Sequence, residues 1–315
     1  MSLPAFPCDI HAFTQHVPFQ KISWSITDAA NIPLYIRRDD LIDKAVSGNK
    51  FYKLYGHLMS YFHSGRAYPV ASFGGAYSNH LYALAAAGNH YGFKTVGIVR
   101  GEPPKVLSET LIFCQSMGMK IHFISRHAYK NKALPGALEK FNQDLGGQHY
   151  WIPEGGGGER GRLGAKALGL SCGEFANTLQ EPTTFITACG TATTFSAMVM
   201  GAKSSYAQFV GVPVLKTGQP YLNDIKHLLK GQKTQWALWQ NEGHCGGYAK
   251  FPQYLEDFLR SVESEINIVL DPIYTIKIFW ALDKAIQSGL YKKDTPVVLI
   301  HSGGLQGRDG FKQLK

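Results

Sequence analysis

Two lysines stand close together in the segment SGNKFYKL (47–54), which opens like a helix. Lys50 follows Ser-Gly-Asn directly, and Lys53 comes three residues later. Residues three apart lie on one side of a helix, so the two ammonium groups would face the same surface. A solvated helix face carries such a pair without any function, whereas a lysine in a pocket can form a Schiff base with a carbonyl compound. The segment alone leaves both interpretations open.

A second candidate is the segment TTFITACGTATTFSAMVMG (183–201). An apolar run ends at Cys189, a turn of small and hydroxylated residues follows, and FSAMVMG continues as a helix. The first N–H groups of a helix lack intrahelical partners and attract anions, so the turn could hold a phosphate. Such turns also serve merely as capped helix starts, and neither a Walker A loop nor a GxGxxG pattern is present. The two interpretations have equal weight.

Three more segments carry polar residues where a strand or a turn meets a helix. Ser78 in SFGGAYSNHLYAL (72–84) is a favourable N-cap, or it holds a carboxylate while Asn79 donates to a phenolate oxygen. Tyr274 in DPIYTIK (271–277) is either a core residue or a group for proton transfer. Ser302 follows the apolar run VVLI, at the carboxyl end of a parallel strand, where ligands collect in open sheets.

Short apolar runs alternate with helical patterns along the chain, which indicates a mainly parallel α/β architecture. Two glycine-rich loops, 153–164 and 243–251, are either linkers or places where the backbone approaches a ligand. A domain boundary is expected near residue 150. The predicted strands are 69–75, 94–101, 120–125, 183–190, 208–215 and 295–304, and the predicted helices include 78–92 and 105–118.

The composition describes an ordinary globular protein with a positive balance. Lys and Arg exceed Asp and Glu by 32 − 23 = 9, without a basic run, so small anionic ligands are favoured over nucleic acid. Five cysteines without CxxC spacing, and histidines without ligand spacing, disfavour disulfides and a metal site. With no evident signal peptide and no apolar run near the ~20 residues that span a bilayer, we expect a cytoplasmic protein and no membrane partner.

The order of these motifs along the chain resembles a known family. SGNKFYKL, GGAYSNH, PEGG, ACGTATT, GGYAKF, DPIYTIK and IHSGGLQG follow one another as in the 1-aminocyclopropane-1-carboxylate deaminase/D-cysteine desulfhydrase family. That family depends on pyridoxal 5'-phosphate (PLP) and has the tryptophan synthase β-subunit-like fold. The resemblance spans roughly residues 30 to 310, and its most specific parts are Gly-Asn-Lys and Ser-Asn-His.

The resemblance implies a role for each matching residue. Lys50 would be the Schiff-base lysine, Lys53 would face the cofactor phosphate, and Ser302 would meet the pyridine nitrogen. Asn79 would bond the 3′-oxygen, and Ser78 would hold the substrate carboxylate and belong to the catalytic group with Lys50 and Tyr274. The remaining implied contacts are to the phosphate, from Gly190, Thr191, Ala192, Thr193 and Thr194, and to the substrate, from Tyr77, Ser78, Asn79, His80, Tyr248 and Tyr274.

The resemblance also implies an overall organisation. Two open, mainly parallel α/β domains would enclose PLP in the cleft between them. The larger PLP-binding domain would comprise residues 1–57 and 153–315, and the smaller would comprise residues 58–152. Members of the family are commonly homodimers, so a homodimer acting on a small amino acid is expected.

Several departures from the family bear on the substrate. Tyr77 stands where the family has Gln, Tyr82-Ala83 where it has Arg-Gln, and Ile276 where it has Gly; Tyr77 and Ile276 are expected near the pocket. Thr275 and Ser302 match the desulfhydrase pattern, whereas cyclopropane deaminases carry a Glu that strengthens electron withdrawal by the pyridine ring.

We therefore expect α,β-elimination, with D-cysteine the leading substrate and cyclopropane deamination the alternative. From other classes, a nicotinamide-dependent oxidoreductase and a non-catalytic binder stay open.

Overall fold

The chain folds into twelve α-helices and ten strands within the residues that the computed structural model describes, which are 6, 9–240, 243–247, 249–291 and 293–314. The strands are β1 (Phe19–Ile22), β2 (Leu34–Arg37), β3 (Val70–Gly74), β4 (Thr95–Arg100), β5 (Lys120–Ile124), β6 (Tyr150–Ile152), β7 (Thr183–Cys189), β8 (Ala207–Pro213), β9 (Gln235–Leu238) and β10 (Val297–Ile300). The helices are α1 (Ile10–Gln15), α2 (Ser25–Ala29), α3 (Gly48–His63), α4 (Asn79–Tyr91), α5 (Glu109–Ser116), α6 (Arg126–Lys130), α7 (Ala137–Asp144), α8 (Gly158–Leu179), α9 (Thr193–Gly201), α10 (Gln219–Leu228), α11 (Gln253–Ile266) and α12 (Thr275–Gln287).

The strands form two separate sheets. The larger has six strands in the order β1-β2-β10-β7-β8-β9, and only the β1–β2 pair is antiparallel. The smaller has the order β5-β4-β3-β6 and is parallel throughout. The predicted α/β class and each strand named from the sequence are confirmed. The division into domains at residues 57 and 152 stays a prediction; its first boundary falls within α3, and the separation of the two sheets supports it.

Both faces of the larger sheet are covered by apolar helices. Successive strand side chains point to opposite faces. Ile186 and Val210 accordingly join the core on the side of α11 and α12, while Phe185 and Phe209 join the core that includes residues of α3, α8 and α9. Burial on both faces explains the near-continuous apolar strand sequences. Within the described ranges, no helix combines the length and apolar character needed to cross a membrane.

The start of α3 is locked against the turn that follows β10. The backbone N–H of Asn49 donates to the carbonyl oxygen of Ser302 over 3.2 Å, so a partner outside the helix satisfies one of its first N–H groups. Gly48 has φ of +57°, and a Cβ there would overlap that carbonyl and lie 2.6 Å from the nitrogen of Gly303. Gly303, at φ +70°, in turn leaves no room for a Cβ beside Ser47. The glycines of SGNK and HSGG therefore allow two backbone turns to interlock.

The imidazole of His301 holds the second turn in place. Its Nδ1 accepts from the N–H of Gly303 over 3.3 Å, so Nε2 is the protonated nitrogen and donates to the carbonyl of Val269 over 2.9 Å. Burial lowers the pKa of His301, which keeps the ring neutral and preserves this tautomer.

We predict that Gly48→Ala lowers the free energy of unfolding by more than about 3 kcal/mol. The left-handed conformation alone costs about 1–2 kcal/mol in a non-glycine residue, and the overlap with Ser302 adds to it. Gly65→Ala is the matched control, because Gly65 lies just after the same helix at φ +82° with open space around its Cα. Denaturant titration of both variants measures the difference. Equal losses of stability would show that the interlocked turns tolerate a side chain.

Candidate functional site

A single cavity of about 750 Å³ collects nearly all the residues singled out from the sequence. It lies where the carboxyl ends of strands from both sheets meet, since the turns after β3, β6 and β7 all line it. Its volume is in the range typical of small-molecule sites. The predicted site residues on its wall are Lys50, Lys53, Tyr77, Ser78, Asn79, His80, Gly190, Thr191, Ala192, Thr193, Thr194 and Tyr274.

Two predicted residues stand apart from this wall. Ser302 lines a small adjoining recess together with Asn49, Lys50, Asn79 and Tyr274, which connects it to the cavity through shared residues. Tyr248 lies outside the described residues, although Ala249 from the same glycine-rich loop lines the cavity.

The positively charged form of the Lys50 amine is disfavoured by burial. Its Nζ donates to Oδ1 of Asn49 over 3.0 Å. Burial lowers the pKa of Lys50 to about 8, and the carboxyl group of Asp271 opposes that shift by favouring the ammonium form. A lysine with an ordinary pKa near 10.4 is almost wholly protonated at neutral pH. The amine of Lys50 is therefore neutral in a useful fraction of molecules, as a nucleophile or a base must be.

Lys53 faces the turn between β7 and α9. Its Nζ lies 3.4 Å from Oγ1 of Thr191, which is itself 3.0 Å from Oγ1 of Thr193. Burial and the nearby charge of Lys50 lower the pKa of Lys53 well below its ordinary value. An anion bound between Lys53 and the turn would relieve both costs, because it would favour the ammonium form.

The turn itself has the features of an anion site. Ala192 precedes α9 in the left-handed conformation, at φ +54°, with the helix N-terminus directly behind it. Oγ1 of Thr194 is buried and has no hydrogen-bond partner among the described residues. Buried hydroxyls are nearly always paired, so this one points to a missing ligand. The sequence-based interpretation of a phosphate cradle thus gains support over that of a simple cap.

Ser78 and Asn79 open α4 at the carboxyl end of β3. Oγ of Ser78 accepts from the N–H of Leu81 over 3.2 Å, which confirms Ser78 as the N-cap. Its hydroxyl hydrogen is not used by that bond, because a hydroxyl can accept and donate at once. The capping and carboxylate-binding interpretations are therefore compatible. Asn79 has its amide nitrogen beside Gly304, where an added Cβ would lie 2.9 Å from Nδ2.

His80 is a neutral, buried acceptor on the cavity wall. The hydroxyl of Ser72 donates to the carbonyl of Ile152 over 2.8 Å and lies 2.8 Å from Nε2 of His80, so Nε2 is the protonated nitrogen. Burial and the charge of Lys50 lower the pKa of His80 well below its usual value. Its Nδ1 lone pair has no partner in the described part of the chain, which leaves it able to accept a hydrogen bond from a bound molecule.

Asp271 orders the segment that carries Tyr274. Its Oδ1 accepts from the backbone N–H groups of Ile273 and Thr275, at 3.1 and 3.3 Å, and from that of Tyr274. Burial raises the pKa of Asp271 to about 7, although these N–H donors act in the opposite direction. Oγ1 of Thr275 is buried and has no partner among the described residues. The carboxylate thus caps the start of α12, and its negative charge favours the protonated form of the Lys50 amine.

Other residues of the wall were not identified from the sequence. Arg100 ends β4 and could have been found by the same strand-end argument as Ser302. Asp271, which is fully buried behind the wall, could have been found as a capping residue before α12. No sequence pattern indicated the short helical segment Leu305–Gly310, whose Gly307 and Gly310 reach the cavity together with Phe311.

The departures from the family fall in different surroundings. Tyr77 lines the cavity and is 61% exposed, so it stands at the mouth. Tyr82 stacks on Phe113 with ring centroids 3.7 Å apart. Ile276 was expected near the pocket, but its side chain is fully buried in the core beside α11 and is not among the residues of the cavity wall.

Comparison with known proteins gives a consistent set of relatives. A protein of Thermotoga maritima provisionally named 1-aminocyclopropane-1-carboxylate deaminase is 30% identical over 287 residues, covering 87% of this chain and 89% of the relative. The bifunctional D-cysteine desulfhydrase/1-aminocyclopropane-1-carboxylate deaminase of Arabidopsis thaliana is 26% identical over 96% of this chain and 80% of its own. A crystal structure of an ACC deaminase homologue superposes with a TM-score of 0.76 at 23% identity, covering 98% of this chain and all of the other. No family model matches the chain.

We predict that Asp271→Asn lowers the pKa of Lys50 further below 8, because the substitution removes the negative charge that favours the ammonium form. The amide oxygen can still cap α12. NMR titration of ¹³C-dimethylated lysines in cofactor-free protein, with Lys50→Arg for assignment, follows this group directly. Asp283→Asn, further along α12, is the control and should leave the Lys50 titration in place. A midpoint that stays near 8 in Asp271→Asn would contradict the coupling.

Proposed function

Because the chain belongs to the 1-aminocyclopropane-1-carboxylate deaminase/D-cysteine desulfhydrase family, we propose that it removes ammonia from a small amino acid by α,β-elimination. It is a PLP-dependent enzyme with the tryptophan synthase β-subunit-like fold of its relatives. The observation that carries the proposal is the sharing of one cavity by Lys50, whose pKa is lowered, and the anion-binding turn of α9. That pairing suits a cofactor with an aldehyde at one end and a phosphate at the other.

The phosphate end of the cofactor fits the residues present. Thr194 offers a buried hydroxyl with no partner among the described residues, and Thr191 and Thr193 offer two more. Lys53 would supply the compensating charge, and the free N–H groups at the start of α9 would donate to phosphate oxygens. A phosphate held by both would offset the cost of burying the ammonium group of Lys53.

The ring end of the cofactor also fits. Ser302 lines the recess beside Lys50, so its hydroxyl can meet a ring nitrogen. Asn79, which lines the cavity and the recess, can donate to the ring oxygen. When bound, PLP supplies an electron sink for the bond that breaks at the substrate Cα.

Lys50 is the proposed acid–base group. Its amine must be neutral to accept the Cα proton, and burial supplies that condition by lowering its pKa to about 8. Asp271 keeps the pKa of Lys50 from falling further, because its carboxylate favours the protonated amine. The pair therefore allows the amine to take up a proton and later return it near neutral pH.

The substrate would be held by the start of α4. The hydroxyl of Ser78 and the N–H groups of this helix end would bind the carboxylate, which the helix dipole also favours. His80 would accept a hydrogen bond through Nδ1, on the same wall. Tyr274 lines the cavity and its recess, as Lys50 does, and would assist proton transfer there. Tyr248 stays a proposed substrate residue on the resemblance alone.

D-Cysteine is the leading substrate. Thr275 and Ser302 bear neutral hydroxyls, which suit a reaction with a good leaving group such as hydrosulfide, and the Arabidopsis relative is named for both activities. With water, D-cysteine would yield pyruvate, ammonia and hydrogen sulfide. Ring opening of 1-aminocyclopropane-1-carboxylate is the second candidate, because the Thermotoga relative carries that name.

The other classes considered from the sequence no longer compete. A nicotinamide-dependent oxidoreductase and a non-catalytic binder are both at odds with membership of this enzyme family. The homodimer and the cytoplasmic location remain proposals that rest on the resemblance and on composition. The division into a 58–152 domain and a larger remainder is likewise proposed, with the cofactor between the two sheets.

A side-by-side assay tests the proposed reaction. Purified holoenzyme is incubated with D-cysteine, β-chloro-D-alanine and 1-aminocyclopropane-1-carboxylate, and the keto acids are identified by chromatography. We predict pyruvate from the first two and little 2-oxobutanoate from the third. Abundant 2-oxobutanoate without pyruvate would establish the second candidate instead, and no keto acid from any compound would refute the proposal.

A further inference from the structure

One wall of the cavity carries a cation that the proposed chemistry does not use. Arg100 is the last residue of β4 and lines the cavity alongside the Ser78 turn. Its guanidinium carbon lies 5.7 Å from the centroid of the Tyr129 ring, which gives it an aromatic support. Arg100 is exposed to solvent at the end of the strand, and in the part of the chain that the structure describes it forms no ion pair with a carboxylate.

A carboxylate that lines the same cavity is already paired. Glu154 lines the same cavity, but its Oε1 accepts from the hydroxyl of Tyr129 over 2.6 Å and its Oε2 lies 3.0 Å from Nζ of Lys132. Lys132 also lies over the Tyr129 ring, at 4.2 Å from its centroid. The sum of Arg100, Lys132 and Glu154 is one positive charge, and it resides on the arginine.

Neighbouring groups add hydrogen-bond donors to this wall. Thr110, in the first turn of α5, is buried and lines the cavity, which brings its hydroxyl and the start of that helix to the same region; Glu109 in the same turn offsets part of the positive end of the helix. The hydroxyl of Ser108, the N-cap of α5, donates to the carbonyl of Ala76, which fixes the helix start beside the Ser78 turn. Tyr77 places a phenol at the mouth, where the family has an amide.

Building on the proposed elimination, we propose that this wall extends the substrate range from D-cysteine to amino acids whose β-substituent is an anion, with Arg100 as the residue that recognises the anion. A guanidinium matches phosphate, sulfonate and carboxylate groups by two parallel hydrogen bonds, which a thiol cannot use. The α-carboxylate is assigned to Ser78 and the start of α4, so Arg100 serves a second negative group.

The chemistry balances with such a substrate. In O-phosphoserine the Cα–H bond breaks and Lys50 takes the proton, while the Cβ–O bond breaks and phosphate leaves with its electron pair. Addition of one water then gives pyruvate and ammonia together with the phosphate. No oxidant or further reactant is needed, and phosphate is a better leaving group than hydroxide from serine.

Arg100→Gln tests the assignment against Arg66→Gln, a control just after the far end of α3 whose guanidinium lies on Phe62. Each holoenzyme is assayed for pyruvate from both enantiomers of O-phosphoserine, cysteate and β-chloroalanine, the last of which is neutral. We predict that Arg100→Gln lowers the ratio of kcat/KM for the anionic compounds to that for β-chloroalanine by about ten-fold or more, because charge-assisted hydrogen bonds are lost. The Arg66→Gln ratio should equal that of the original protein.

A binding measurement separates this inference from the proposed reaction. Calorimetric titration with 2-amino-3-phosphonopropionate, which has a carbon–phosphorus bond in place of the ester, reports the anion contact without turnover. We predict binding that Arg100→Gln weakens about ten-fold and Arg66→Gln leaves intact. Arg100-dependent binding with no pyruvate from any compound would support the ligand class while refuting the elimination. Equal effects of Arg100→Gln on charged and neutral compounds, or no effect on either, would overturn the assignment of Arg100.

Discussion

The site depends on a backbone contact between two turns that are distant in sequence. Gly48 packs against the carbonyl of Ser302, and the same carbonyl accepts the N–H of Asn49. This contact joins the start of α3 to the end of β10, a central strand of the larger sheet. The helical repeat then places Lys50 and Lys53 on the same side of α3, since both lie in the first turns of this anchored helix. A packed strand end thus sets the position of two flexible side chains, which otherwise have many rotamers.

Burial then lowers the pKa values of these two lysines, which makes their amines reactive near neutral pH. Burial at the base of the cavity also lowers the pKa of His80, which is held neutral. The cost of burying ammonium groups is offset when anions bind beside them, and the cavity offers donors for several negative groups at separate walls. The three proposed places are the threonine turn, the start of α4 and Arg100. An amino acid–cofactor pair with a negative group at each of them would be complementary to the site.

The sequence predicted more of the scaffold than of the site's electrostatics. Strand β7 is rich in β-branched and apolar residues, β10 is wholly apolar, and glycine follows each within three residues, so local patterns identify them, as the N-cap rule identifies Ser78. Asp271, Arg100 and Glu154 were not found, because their roles come from contacts with residues far along the chain. Ile276 was wrongly expected near the pocket because it is close in sequence to Tyr274. Its side chain instead lies in the core formed with α11. Tyr248 lies outside the described residues, so its assignment stays a prediction.

The central claim is that the anchored Lys50, and not its neighbour Lys53, bonds the cofactor. Reduction of the holoenzyme with borohydride, followed by peptide mass spectrometry, measures this directly, because it converts the lysine–PLP bond into a stable adduct. The account predicts a yellow protein whose colour is bleached by the reagent, with one modified peptide in which the adduct lies on Lys50. An adduct on Lys53 or on a lysine outside the cavity, or a PLP-saturated protein with no adduct, would contradict it.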